Sequence, residues 1–190
     1  MRKSDSKELD SMFLERWSPR AFSSDTISDE HLNTLFEAAR WSPSCFNEQP
    51  WHYVYAKSES DLARFQSILV DANKVWASSA PVLVIAFNRK QFAHNNKPNR
   101  WAEFDSGAAW MSLALQANKL GLHCHGMGGF DLDKAYEVAN VDAEQYNVIC
   151  VIAIGKMTSA EGLPANLKEK ESPNDRKPIT EFISEGKMSE

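Results

Sequence analysis

Arg16 and Arg20 flank Ser18 where an amphipathic stretch breaks at Ser18-Pro19. Two forked guanidiniums around a hydroxyl suit a phosphate dianion, because each fork can offer parallel N–H donors to its oxygens. Two surface arginines after a helix would read the same way, so this segment alone leaves both readings open. A second basic spot, Asn174-Asp175-Arg176-Lys177-Pro178, lies near the other end of the chain and by itself reads as a solvated loop. Between them, Trp41-Ser42-Pro43-Ser44-Cys45-Phe46-Asn47-Glu48-Gln49-Pro50-Trp51 joins a helix to a strand. Polar groups held rigidly beside an apolar rim could read the edge of a heteroaromatic ring. They could equally satisfy the backbone of their own loop.

His125-Gly126-Met127-Gly128-Gly129-Phe130-Asp131 is a further candidate, since glycines let a backbone approach a ligand closely. It also reads as a flexible connection into the DLDKAYEVA helix, with Asp131 as N-cap. Its glycines do not complete GxGxxG, and neither a P-loop nor GxSxG occurs. His123-Cys124-His125 lacks a second ligand pair at zinc spacing, so it reads as structural and no metal is expected. Cys45 has no histidine base identified by the sequence, which favours an inert thiol.

The elements that must position these segments follow from periodicity. SKELDSMFLERW reads as a short helix, and a second helix starts at the N-cap Ser28 and ends before Pro43. WHYVYA (51–56) reads as a strand, and ESDLARFQSILV (59–70) as one helix. PVLVIAF (81–87) and NVICVIAIG (147–155) are continuous apolar runs, expected as strands covered on both faces. Between them, residues 103–121 form a helix that is apolar almost all round and closes at Gly121; such a helix belongs in a protein centre or at a subunit interface. Past Gly155 the chain is polar, and composition alone reads it as a tail. The fold class is α+β.

With 190 residues, 43% hydrophobic and 25% charged, the chain suits one globular domain instead of a disordered segment. A net charge of −5 argues against general nucleic-acid binding. The uncharged helical stretch 106–118 is too short to span a bilayer, and no apolar run follows the first basic residues as in a secretory signal. Three widely spaced cysteines form no disulfide framework, so a reducing cytoplasmic setting is expected.

Taken together and in order, RWSPRAF (16–22), AARWSPSCFNEQPWHYV (38–54), EFDSGAAWMSLALQANKLGL (103–122), HGMGGFD (125–131), IAIG (152–155) and NDRKPITEF (174–182) resemble the motifs of the FMN-dependent nitroreductase family. The resemblance implies a single domain over 1–190 with 156–190 as a C-terminal arm. It implies a mixed β-sheet flanked by helices, built as an intertwined homodimer with FMN at the interface and the arm reaching across the other subunit. It also implies hydride transfer from NADH or NADPH through FMN to nitroaromatic or quinone-like acceptors, in ping-pong order. Relatives with this fold perform other flavin chemistry, including dehalogenation and ring oxidation, and a non-catalytic FMN-binding protein is a further alternative.

By the same resemblance, Arg16, Ser18 and Arg20 match the N-terminal FMN motif, and Trp17, also expected to bind the cofactor, stands where many relatives carry a basic residue or His. Arg16 and Arg176 look like the phosphate anchors, and Arg20 like the cation near the flavin N1/O2 edge. Pro43, Ser44, Cys45 and Asn47 match the loop that the second subunit lays against the flavin. Gly128 and Gly129 match the positions whose backbone N–H groups approach N5, Gly126 and Met127 beside them are also expected to bind the cofactor, and Lys74 matches a basic residue near the ring in some members. Trp41, Phe46, Trp101 and Trp110 could line a pocket for planar substrates or could be core. No side chain is assigned as catalytic acid or base, because the cofactor carries the chemistry.

Overall fold

The apolar run expected as a doubly covered strand occupies the sheet's interior in the computed structural model, which describes residues 2, 4 and 6–188. This is β2 (Val82–Arg89), flanked by β1 (Trp51–Ala56) and β4 (Tyr146–Gly155), with β3 (His123–Met127) at the far edge in the order β1-β2-β4-β3. Alternation along β2 decides which layer each side chain enters. Val82, Val84 and Ala86 face one hydrophobic cluster, and Leu83, Ile85 and Phe87 face the other. The sheet is therefore a shared wall between two cores.

One face is covered by α2 (Asp29–Arg40) and α5 (Ala102–Lys119), packed against each other. Leu32, Leu35 and Ala39 of α2 meet Ala109, Leu113 and Ala117 of α5 in that cluster. The other face is covered by α3 (Glu59–Ser67), α4 (Asp71–Ala77) and α6 (Leu132–Ala139) through Phe65, Trp76 and Ala135. Ser28 and Asp131 cap α2 and α6 as expected, accepting hydrogen bonds from the N–H groups of His31 and Lys134. Gly121 supplies the left-handed residue after α5, at φ 71°.

Several expectations change. The α+β class holds, but all three pairings are antiparallel among the described residues, where a mixed sheet was expected. Two-sided burial does not require parallel strands here, because helices cover both faces of an antiparallel sheet. The first helix shrinks to α1 (Met12–Glu15), with Leu9 and Phe13 exposed and none of its residues fully buried. The single helix expected over 59–70 ends early. Leu69 bridges Phe130, and the Asp131 N–H donates to the Ile68 carbonyl, so the chain is extended there before α4 begins.

The segment after Gly155 is ordered against its own chain. Met157 bridges Phe22, the Thr158 N–H donates to the Ala21 carbonyl, and α7 (Ala165–Lys168) follows. Beyond Arg176 the arm exposes Ile179, Phe182 and Ile183.

Leu113 is 0% exposed between α2, α5 and the sheet. Leu113→Ala should lower unfolding free energy by about 2–5 kcal/mol in urea titrations, through lost burial and a residual cavity.

Candidate functional site

The N-terminal break and the C-terminal arm form one pocket. Arg2, Arg16, Trp17, Ser18, Arg20, His125, Lys170, Ser172, Asn174 and Arg176 line a cavity of about 230 Å³. No carboxylate is among these residues. The Arg16 guanidinium lies 3.5 Å from the Ser18 hydroxyl. Its pKa is lowered first by burial and then by the positive charges of Arg2 and Arg176. Clustered like charges favour an anionic occupant.

Glu171 holds the pocket's two halves together. Its carboxylate is only 5% exposed, and Oε1 accepts hydrogen bonds from the backbone N–H groups of Arg20 (2.6 Å) and Ala21 (2.8 Å). Oε2 makes no hydrogen bond and lies 3.9 Å from Arg20 Nη1. The carboxylate thus fastens the arm to the loop that carries Arg20. Sequence reading missed Glu171 inside the charged run LKEKE, which has no periodic signal. It missed Arg2 as well, within a polar N-terminal stretch.

The glycine segment is the edge strand β3 followed by a short turn, a correction to the flexible connection that the residues alone allowed. Met127 is buried in the core, while Gly126 and Gly128 on either side of it are exposed. A Cβ on Gly128 would meet nothing within 4 Å, whereas one on Gly129 would lie 2.7 Å from Asn73 Nδ2 and 2.9 Å from Val70 Cγ2. The Gly129 carbonyl accepts hydrogen bonds from Asn73 Nδ2 and the Val70 N–H. Close approach to α4 therefore explains Gly129, and open space beside Gly128 leaves its backbone accessible. Gly126 faces the Trp110 ring. Lys74 is exposed on α4 and does not line the guanidinium pocket.

His125 donates from Nδ1 to the Pro19 carbonyl at 2.9 Å and packs its ring 4.6 Å from that of Trp76. His123 meets Trp17 edge-on, and its Nδ1 is buried without a partner. Among the described residues, no group of three or more His, Cys, Asp and Glu could hold a metal ion. Burial pushes the Cys124 thiol up and the Cys150 thiol to about 11, which disfavours thiolate chemistry at either.

Pro43, Ser44, Cys45 and Asn47 do not line the guanidinium pocket. Their loop is anchored to α5 instead. Asp105 accepts the Cys45 N–H at 3.0 Å, and the Ser42 and Ser112 hydroxyls lie 2.8 Å apart. Phe46, Asn47 and Gln49 all have positive φ, at 54°, 55° and 51°. Such backbone costs energy in a non-glycine residue and marks a conformation imposed by its surroundings. It presents Phe46 at 81% exposure, edge-on to Phe92 and His94. Trp41 and Trp101 are also exposed, each beneath an arginine, so neither is core. Trp110 is half-buried beside Tyr53 and Cys150. On α5, Phe104 is 76% exposed and Met111 is exposed too, leaving an apolar stripe uncovered in the single chain.

A larger cavity of about 390 Å³ is lined, among the described residues, by ones between Thr180 and Met188. It gathers none of the candidate residues. Among the described residues, no helix is long and apolar enough to cross a membrane.

The nitroreductase family profile matches residues 14–79 and 63–156. A solved structure described as the oxidoreductase containing FMN is 40% identical, covers 99% of this chain and 96% of that one, and superposes with a TM-score of 0.93. A protein of Ralstonia nicotianae, provisionally named NADH dehydrogenase/NAD(P)H nitroreductase, is 29% identical over 167 residues, 77% of this chain and 85% of its own length. A protein of Exiguobacterium sibiricum, provisionally described as a nitroreductase and solved with FMN, shares the fold at 19% identity and a TM-score of 0.78, covering 97% and 98% of the two chains.

Two outcomes follow from this geometry. Glu171→Ala should release the arm, so trypsin should cut after Lys170 and Arg176 at least about tenfold faster while the melting temperature of the sheet domain changes little. Burial, followed by Arg16 for His123, lowers both histidine pKa values from 6.5; at His125 burial outweighs the Pro19 bond, with Arg20 lowering and Glu171 raising its value further. The unfolded chain then takes up protons first as pH falls. Their stabilising contribution is complete above about pH 6.5 and is lost below it. Melting temperature should therefore fall on acidification from about pH 7.5 to 5.5, and His123→Phe should reduce that slope.

Proposed function

The chain belongs to the nitroreductase family, and from that membership we propose that it is an FMN-dependent oxidoreductase taking hydride from NADH or NADPH and delivering it to small nitroaromatic or quinone-like acceptors. The observation that carries this reading is the guanidinium pocket. Arg16 and Arg176, from opposite ends of the sequence, line one cavity with Ser18 and, among the described residues, no carboxylate. That donor set fits a phosphate dianion.

The fit also limits what the pocket holds. A volume of about 230 Å³ is smaller than the ~300–1,000 Å³ of a site that encloses a drug-sized ligand. The cavity suits the phosphate end of FMN, and the ring needs surface beyond it. We assign Arg16, Ser18 and Arg176 to the phosphate. Arg20, fastened through Glu171, is the cation assigned to the electron-rich edge of the ring, where it would stabilise the negative charge of the reduced form. The backbone of Gly128 and Gly129 is the assigned approach to the ring's reactive edge. When bound, FMN supplies hydride chemistry, alternating between the nicotinamide donor and the acceptor.

The remaining wall comes from a second copy of the chain. Phe104 and Met111 leave α5 apolar and uncovered, and a helix of this kind is normally buried. Pairing two chains through this face would supply Pro43, Ser44, Cys45 and Asn47 from the partner. The same pairing would cover Ile179, Phe182 and Ile183 at the end of the arm. Exposed Phe46, Trp41 and Trp101 give that wall flat apolar surface for planar acceptors.

Purified protein should carry flavin absorbance that bleaches on anaerobic addition of NADH or NADPH. Each charge-assisted hydrogen bond to phosphate contributes about 1.5–3 kcal/mol. The Arg16→Ala/Arg176→Ala double variant should therefore bind FMN roughly 10²–10⁴-fold more weakly in fluorescence titrations. A protein that binds no flavin, or a double variant that retains it fully, would contradict the assignment.

A further inference from the structure

Arg2 enters the pocket from outside every motif singled out in the sequence. Its Nε donates to the Asn174 carbonyl at 2.8 Å, and its Nη1 donates to the carbonyls of Arg16 (2.8 Å) and Leu14 (3.3 Å). These bonds bring the N-terminal segment, the Arg16 loop and the arm to one point. They leave part of the guanidinium fork uncommitted. Among the described residues, Arg2 forms no ion pair; Asp175 offsets its charge only from a distance.

The charge itself needs explaining. Holding three backbone carbonyls requires N–H donors but no positive charge. A cation here is opposed by its surroundings: burial and then Arg176 disfavour protonation of Arg2, and burial followed by Arg2 and Arg176 disfavours it at Arg16. Asn174, at the tip that Arg2 grips, adds no charge of its own. A dianion would reverse the sign of this arrangement, turning mutual repulsion into shared attraction.

We propose that Arg2 is a third phosphate-binding guanidinium, closing the pocket over the anion together with Arg16 and Arg176. The inference rests on the FMN reading above and extends it to a residue supplied by the N-terminal segment. It makes phosphate recognition depend on both chain ends at once.

The test uses the apoprotein and two ligands that share a ring, FMN and riboflavin, the second lacking the phosphate. Arg2→Gln keeps a side-chain N–H donor and removes the charge. It should raise the FMN dissociation constant about ten- to a hundredfold, the range for losing one hydrogen bond to a charged group. Riboflavin affinity should stay within about threefold and melting temperature should change little, because this half-buried side chain packs no core. Arg2→Lys should recover part of the loss, since it restores charge without the fork. Equal weakening of FMN and riboflavin would reduce Arg2 to a fastener of the arm and overturn the proposal. So would unchanged FMN binding. A wild-type protein that binds FMN no better than riboflavin would remove the phosphate site itself, and the assignment of Arg2 with it.

Discussion

Arg2, Arg16 and Arg176 share a pocket whose lining contains no carboxylate among the described residues, and the fold holds them there against their own repulsion. That constraint governs both ends of the chain. Glu171 supplies much of the restraint: two short hydrogen bonds from its buried carboxylate join the arm to the backbone at Arg20 and Ala21. The bridge between Phe22 and Met157 adds a second join close by. A negative charge near the cluster, spent on backbone N–H groups instead of on the three clustered arginines, fixes the geometry and leaves the cations available.

The sheet explains why the two ends can meet at all. β4 delivers the arm at Gly155, beside the edge strand β3 that carries His125. The loop holding Arg16, Ser18 and Arg20 runs past the same edge, where the Pro19 carbonyl takes the His125 Nδ1–H. On the opposite face of the sheet, α5 is divided between a buried side of Ala109, Leu113 and Ala117 and an uncovered side of Phe104 and Met111. The first builds the monomer's core. The second stays uncovered in the single chain, beside the strained 45–49 loop that is hydrogen-bonded to Asp105.

Much of this architecture was legible from residue pattern. The apolar runs of β2 and β4, the Ser28 and Asp131 caps and the Gly121 stop each follow from local chemistry, and the structure agrees at each. The losses have physical reasons. β3 is built from His123, Cys124, His125, Gly126 and Met127, which carry little strand propensity; its pairing with β4 decides the conformation. The break between α3 and α4 is imposed by Phe130 and Asp131 from a distant part of the chain. For the candidate site, Arg16, Ser18, Arg20 and Arg176 could be singled out as types, but only the fold brings them together. Arg2 and Glu171 sit in charged stretches where periodicity carries no information about partners.

The account turns on where an anion sits. The most direct measurement is a crystal structure of the protein with FMN bound. The account predicts phosphate oxygens within about 3.2 Å of guanidinium nitrogens from both Arg16 and Arg176, with the ring leaving the pocket past Gly128 toward a second chain. A phosphate held elsewhere, with the arginines facing solvent, would contradict it.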